Sequence, residues 1–131
     1  MPTVNYIAVL LSAVASMVLG FLWYGPLFGK MWMKFSGQKE MGDRSQAIRN
    51  YGLTFVASLV MAYVLAALLS LTKTVGIMEA LKMAFWSWLG FQATILLGSV
   101  FWERKSWNLY FLNVAYWLVN LLVIAAVLSY L

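Results

Sequence analysis

Residues 50–72 read NYGLTFVASLVMAYVLAALLSLT, twenty-three residues without a charge between Arg49 and Lys73. About 20 mostly apolar residues in a helix cross the hydrocarbon layer of a bilayer. This stretch is therefore read as a membrane span, and three similar runs surround it. No charge precedes Lys30, none lies between Lys82 and Glu103, and none follows Lys105. The gaps predict four transmembrane helices, at about 4–24, 50–72, 80–102 and 107–130, in a single transmembrane domain covering 1–131. The ~10-residue alternation of polarity that marks a membrane β-barrel is absent from the sequence. The expected fold is an all-α membrane protein, a four-transmembrane-helix bundle with a short interfacial amphipathic helix after helix one.

Composition leads to the same place. The chain is 64% hydrophobic and 10% charged, against roughly 45–50% and about 25% for soluble domains. A soluble core of 131 residues has no room for so much apolar side chain, so the surplus faces lipid. Ala13-Val14-Ala15 resembles a signal-peptide cleavage site. The segment Met1 to Asn5, however, carries no base, and the apolar run continues past the alanines, so the first helix is expected to be retained.

The bases set the expected orientation. Connection one carries Lys30, Lys34, Lys39, Arg44 and Arg49, and connection three carries Arg104 and Lys105. The opposite side has only Lys73 and Lys82. By the positive-inside rule, connections one and three lie in the cytoplasm of a cell with this protein in its cytoplasmic (inner) membrane, and both termini lie outside. The net charge of +5 then reflects topology and attraction to anionic lipid, with no nucleic acid as a partner. Cys and His are both missing from the sequence, which removes disulfides, thiolate chemistry and imidazole metal sites. No cofactor is expected.

Small residues recur every fourth position in three spans: Ser12, Ser16 and Gly20; Ser58, Ala62, Ala66 and Ser70; Gly90, Thr94 and Gly98. Lipid removes the hydrophobic force between helices, so close approach through small side chains must hold them together. All three ladders are expected to pack. Helix four instead places Asn113, Tyr116 and Asn120 on one face, at i, i+3 and i+7. Unpartnered amides in hydrocarbon are costly. That face must bond other helices, or, with Asn5 and Gln92, line a polar path. A weak repeat pairs VLAALLS (64–70) with VIAAVLS (123–129) and suggests two parallel helical hairpins.

The segment FLWYGPLFGKMW, Phe21 to Trp32, closes the first span. Gly25-Pro26 ends the helix. Leu27, Phe28, Met31, Trp32 and Phe35 can then share one face, with Lys30 and Lys34 on another, as in a short helix (26–36) lying in the interface. Trp23, Tyr24, Lys30, Trp32 and Lys34 form a candidate interfacial anchor or lipid-headgroup contact, with anionic lipid as its partner. Gly37 is a plausible stop, and Asp43 with Gln46 resembles a capping box opening helix two. Glu79 suits the first turn of helix three and can pair with Lys82. Phe85, Trp86 and Trp88 fit an outer aromatic belt, and Trp102 and Trp107 an inner one.

The pattern Asn5-Tyr6-x-Ala8-Val9, followed by Leu22-Trp23-Tyr24-Gly25-Pro26-Leu27-Phe28-Gly29-Lys30-x-Trp32, resembles the domain of unknown function 1761 family of small, mainly bacterial integral membrane proteins. The motif covers roughly the first 35 residues. The resemblance implies a four-helix membrane protein and supplies no reaction, substrate or catalytic residue.

Catalysis is not expected. Glu40, Asp43, Glu79 and Glu103, the only acids, lie outside the spans or at their ends, and the serines have no usual base. A proton-coupled exporter needs an ionisable group deep in a span, and none is present. Two readings remain: a self-associating, lipid- or partner-binding membrane component, or an oligomeric channel or transporter for a small solute or ion. They differ in whether Asn113 and Asn120 meet other helices or water.

Overall fold

The computed structural model describes residues 4–36 and 44–131, without the side chains of residues 36 and 44–47. The described residues form helices and no strand. Helix α1 (Tyr6–Leu22) opens at Asn5, whose side-chain oxygen accepts from the Ile7 and Ala8 amides. A wide π-helical turn, Trp23–Leu27, leads into α2 (Gly29–Ser36). Helix α3 (Arg44–Leu71) follows. The third span starts as α4 (Ile77–Ser87), loosens into a second π-helical turn, Trp88–Ala93, and ends in two short pieces, α5 (Thr94–Leu96) and α6 (Gly98–Phe101). Helix α7 (Trp107–Tyr130) opens at Ser106, whose hydroxyl accepts from the Leu109 amide.

Four segments are long and apolar enough to cross a membrane: Tyr6–Leu27, Ile48–Leu71, Ile77–Phe101 and Trp107–Tyr130. The chain is thus an all-α, multi-pass membrane bundle, as the charge gaps predict. The expected capping box at Asp43 and stop at Gly37 lie outside the described residues. Helix α3 ends in a Schellman motif: Lys73 takes φ 54°, with Thr74 N–H bonded to Leu69 O and Lys73 N–H to Ser70 O.

Helix α1 packs along α3 and α7, and α4 packs along α7. The shared core contains Val9, Ala62, Leu65, Ala66, Leu69, Ala80, Ala84, Leu121, Ile124 and Ala125. Half of these ten are alanine, which lets backbones approach closely enough for dispersion to hold helices together in lipid. Leu65-Ala66 and Ile124-Ala125, equivalent positions of the sequence repeat, meet in this one core. Leu10, Val14, Val18, Val56, Val60, Ile95 and Phe111 point outward, giving the bundle an apolar coat.

The third span departs from the single straight helix expected for it. Thr94 Oγ1 donates to Gly90 O at 2.7 Å, and Ser99 Oγ donates to Leu96 O at 2.8 Å. Hydroxyls bonded back onto their own helix bend it, and the glycines at 90 and 98 add little resistance. The Trp23–Leu27 turn has a different cause. Gly25 sits at φ −108°, ψ −106°, outside the helical region, and Pro26 follows it. Helix α2 therefore starts at Gly29, three residues later than the sequence reading placed it.

Candidate functional site

The first two small-residue ladders meet. Ser12, Ser16, Ser58, Ala62 and Ala66 are buried where α1 faces α3. Gly20 lies under Tyr116, whose hydroxyl would stand 3.0 Å from a Cβ at that position. A side chain there would push the tyrosine hydroxyl back by a few tenths of an ångström.

At the centre of this contact is a polar cluster. Ser16 Oγ donates to Asn120 Oδ1, and the Ser16 and Ser58 hydroxyls lie 3.3 Å apart. A hydroxyl has one proton and two lone pairs. Ser16 commits its proton to Asn120, so Ser58 is the donor in the second bond. The other end of Asn120 reaches Met61 Sδ at 3.5 Å, and Gln92 Nε2 approaches the same sulfur at 4.0 Å. Asn120 is 1% exposed. All three of the longer helices α1, α3 and α7 thus contribute to one buried network.

Asn113 lies nearer the end of the bundle that bears Lys30 and Lys34. Its side-chain oxygen accepts from the Tyr24 hydroxyl at 2.7 Å. Around that bond the rings of Tyr24 and Tyr116 meet edge to face at 5.1 Å, Tyr24 meets Trp32 at 6.2 Å, and Trp23 meets Phe28 at 4.6 Å. Trp23 and Tyr24 are thereby turned onto α7 and do not form an outward anchor. The wide turn causes this, because it rotates the aromatic pair away from the lipid-facing line of α1. Lys30 and Lys34 remain exposed. Gly29 is buried at this junction; a Cβ there would lie 2.6 Å from Tyr24 O, so the tight joint between α1 and α2 admits glycine alone.

Asn5 is a structural cap. Besides holding the start of α1, it donates to Leu131 O at 3.1 Å and ties the first helix to the last. The structure separates it from Asn113 and Asn120, so the five polar candidates do not form one path. Gly90 and Thr94 are exposed, and nothing lies within 4 Å of a Cβ built on Gly90. A Cβ on Gly98 meets only Trp102, at 3.9 Å. The third ladder thus packs against no other described helix. Trp88 also leaves its expected belt, turning inward to donate to Val114 O at 2.9 Å.

That last contact belongs to a pair of ties across the third and fourth spans. Tyr110 donates its hydroxyl to Ala93 O at 3.0 Å, at the end of the second wide turn. Both wide turns open with Trp-x-Gly: Trp23-Tyr24-Gly25 and Trp88-Leu89-Gly90.

A cavity of about 480 Å³ opens at the same end of the bundle, where the third span joins α7. Ile95 and Leu96 form its apolar side, and Ser99, Asn113, Glu103 and Lys105 its polar side. Glu103 and Lys105 form an exposed ion pair at 3.3 Å. A second cavity, of about 390 Å³, lies at the opposite end beside Asn5, Thr74 and Ser129. Glu79 and Lys82 pair at 3.3 Å at that end, as the sequence suggests.

The family described as Protein of unknown function (DUF1761) matches residues 7–129. The chain belongs to that family. The match takes in all four spans, well beyond the opening motif that carries the sequence resemblance. No curated protein and no solved structure matched the chain. The family carries no described function, so the geometry of this member must carry any reading of its role.

Proposed function

We propose that this protein is a non-catalytic, self-associating component of the cytoplasmic membrane that binds lipid or a partner, with its Lys30, Lys34 and Lys105 end at the cytoplasmic face. One observation carries the reading. Asn120 is buried and bonded to Ser16 and Met61, and Asn113 is bonded to Tyr24, so the polar face of the fourth span is used inside the bundle. A face committed in this way is cohesive and has little left to offer a passing solute. The outward Gly90-Thr94 ladder supports self-association, since small residues let a second copy approach closely. The basic end supports anionic lipid as a neighbour.

An oligomeric channel or transporter for a small solute or ion is the second reading. It is favoured by Gln92 Oε1 and Ser12 Oγ, which are buried without a hydrogen-bond partner among the described residues. Flux and assembly separate the two. Purified protein in liposomes should pass no ions or small solutes above empty vesicles, while native mass spectrometry in nanodiscs shows a discrete oligomer. Flux that Asn113→Leu or Asn120→Leu abolishes would overturn the proposal in favour of the second reading.

A further inference from the structure

We infer that the cavity between the third span and α7 binds the headgroup of a phospholipid carrying both a phosphate and a primary ammonium, an ethanolamine-type lipid. The inference rests on the lipid-binding side of the proposed function and names its ligand.

The cavity has the two-part character of an amphiphile site. Its volume of about 480 Å³ lies within the roughly 300–1,000 Å³ of small-molecule pockets. One side is apolar and continuous with the lipid-facing surface: Ile95 is 73% exposed and Trp102 87%. An acyl chain can follow Ile95 without leaving hydrocarbon, while the indole of Trp102 suits the headgroup layer. The other side is lined by Ser99, whose proton is held by Leu96 O, and by Asn113, whose oxygen is held by Tyr24 and whose amide N–H groups remain to donate, with Glu103 and Lys105 at the mouth.

The acid and base together decide the headgroup. Lys105 alone would favour any phosphate. Glu103 stands 3.3 Å from it and would repel a purely anionic headgroup, whereas an ammonium one short linker away from the phosphate meets it directly. An exposed Glu–Lys pair is worth little on its own, so it opens readily to exchange partners with such a zwitterion. A quaternary choline ammonium has no N–H to donate to Glu103 and should be held less well. The backbone fixes the mouth: Arg104 takes φ 57°, and Lys105 N–H bonds to Ser99 O at 3.0 Å, folding the connection back onto the end of the third span.

The test is lipid retention by native mass spectrometry on the full chain, released from nanodiscs containing equal phosphatidylethanolamine, phosphatidylcholine and phosphatidylglycerol. One ethanolamine lipid should be retained per chain, in preference to the other two. Glu103→Gln should lower the ethanolamine-to-glycerol ratio about fivefold, the upper range for one exposed ion pair, and Lys105→Met should lower retention of both. Both side chains are exposed, so circular dichroism should be unchanged in each variant. Equal retention of the three lipids, or ratios that Glu103→Gln leaves unaltered, would overturn the inference. Complete displacement by soluble glycerophosphoethanolamine would overturn the lipid as its source. None of these outcomes depends on flux, so failure here leaves the proposed function standing on its own test.

Discussion

The bond between Ser16 and Asn120 can be tested by a double-mutant cycle. Ser16→Ala removes the donor and leaves the Asn120 oxygen, 1% exposed with its residue, without its partner. In a soluble core that would cost about 1–3 kcal/mol. Within a membrane the range is lower, about 0.6 kcal/mol on average and up to about 1.7, because the unfolded chain in lipid also finds partners. Asn120→Leu keeps the volume but removes the acceptor and the weak contact to Met61 Sδ. It leaves Ser16 with Ser58, so its cost should fall near the lower figure. The double variant should lose less than the sum of the two, since neither residue then strands the other. A coupling energy of about 0.6–1.7 kcal/mol is expected. Equilibrium unfolding in mixed micelles with increasing dodecyl sulfate, followed by circular dichroism, measures it. Coupling inside the about 0.3–0.5 kcal/mol that distant sites show would refute the bond and the reasoning that closes the polar face.

Three further outcomes follow from local geometry. Gly29→Ala places a Cβ 2.6 Å from Tyr24 O and should cost about 1–3 kcal/mol in the same unfolding assay. Gly90→Ala meets nothing within 4 Å; it should leave stability unchanged or raise it by up to about 1 kcal/mol, while Gly90→Leu should shift the oligomer distribution seen by native mass spectrometry. Asn5→Ala loses the cap of α1 and its bond to Leu131 O, with an expected loss of about 0.5–2 kcal/mol and faster amide exchange at Ile7 and Ala8.

The spans were legible because the bilayer imposes a length and forbids charge, and both constraints are local. Arg49 and Lys73 bound one helix whatever its neighbours do. The Ser12–Ser16–Gly20 ladder was legible for a similar reason, since four-residue spacing always makes one helical face. The same rule misled at Gly90 and Thr94, where spacing shows that a face exists and not what covers it. Trp23 and Tyr24 were read as an interfacial anchor and Trp88 as a belt residue from their composition and depth. A kink at Gly25 and a wide turn over Trp88–Ala93 rotate them inward, and neither leaves a mark in hydrophobic periodicity.

The cavity at Glu103 and Lys105 was not legible at all. Its walls come from residues 95–105 and from α7, which are brought together only in the folded bundle. By itself, the sequence determined that this chain lives in a membrane, crosses it with four helices and carries most of its positive charge on one side, because hydration of charge and the length of an apolar run need no tertiary contact. Which amides are buried, which ladder is left facing out and where a headgroup can enter were decided only by the tertiary structure. Those depend on how each helix is rotated about its axis, and packing against its neighbours sets that rotation.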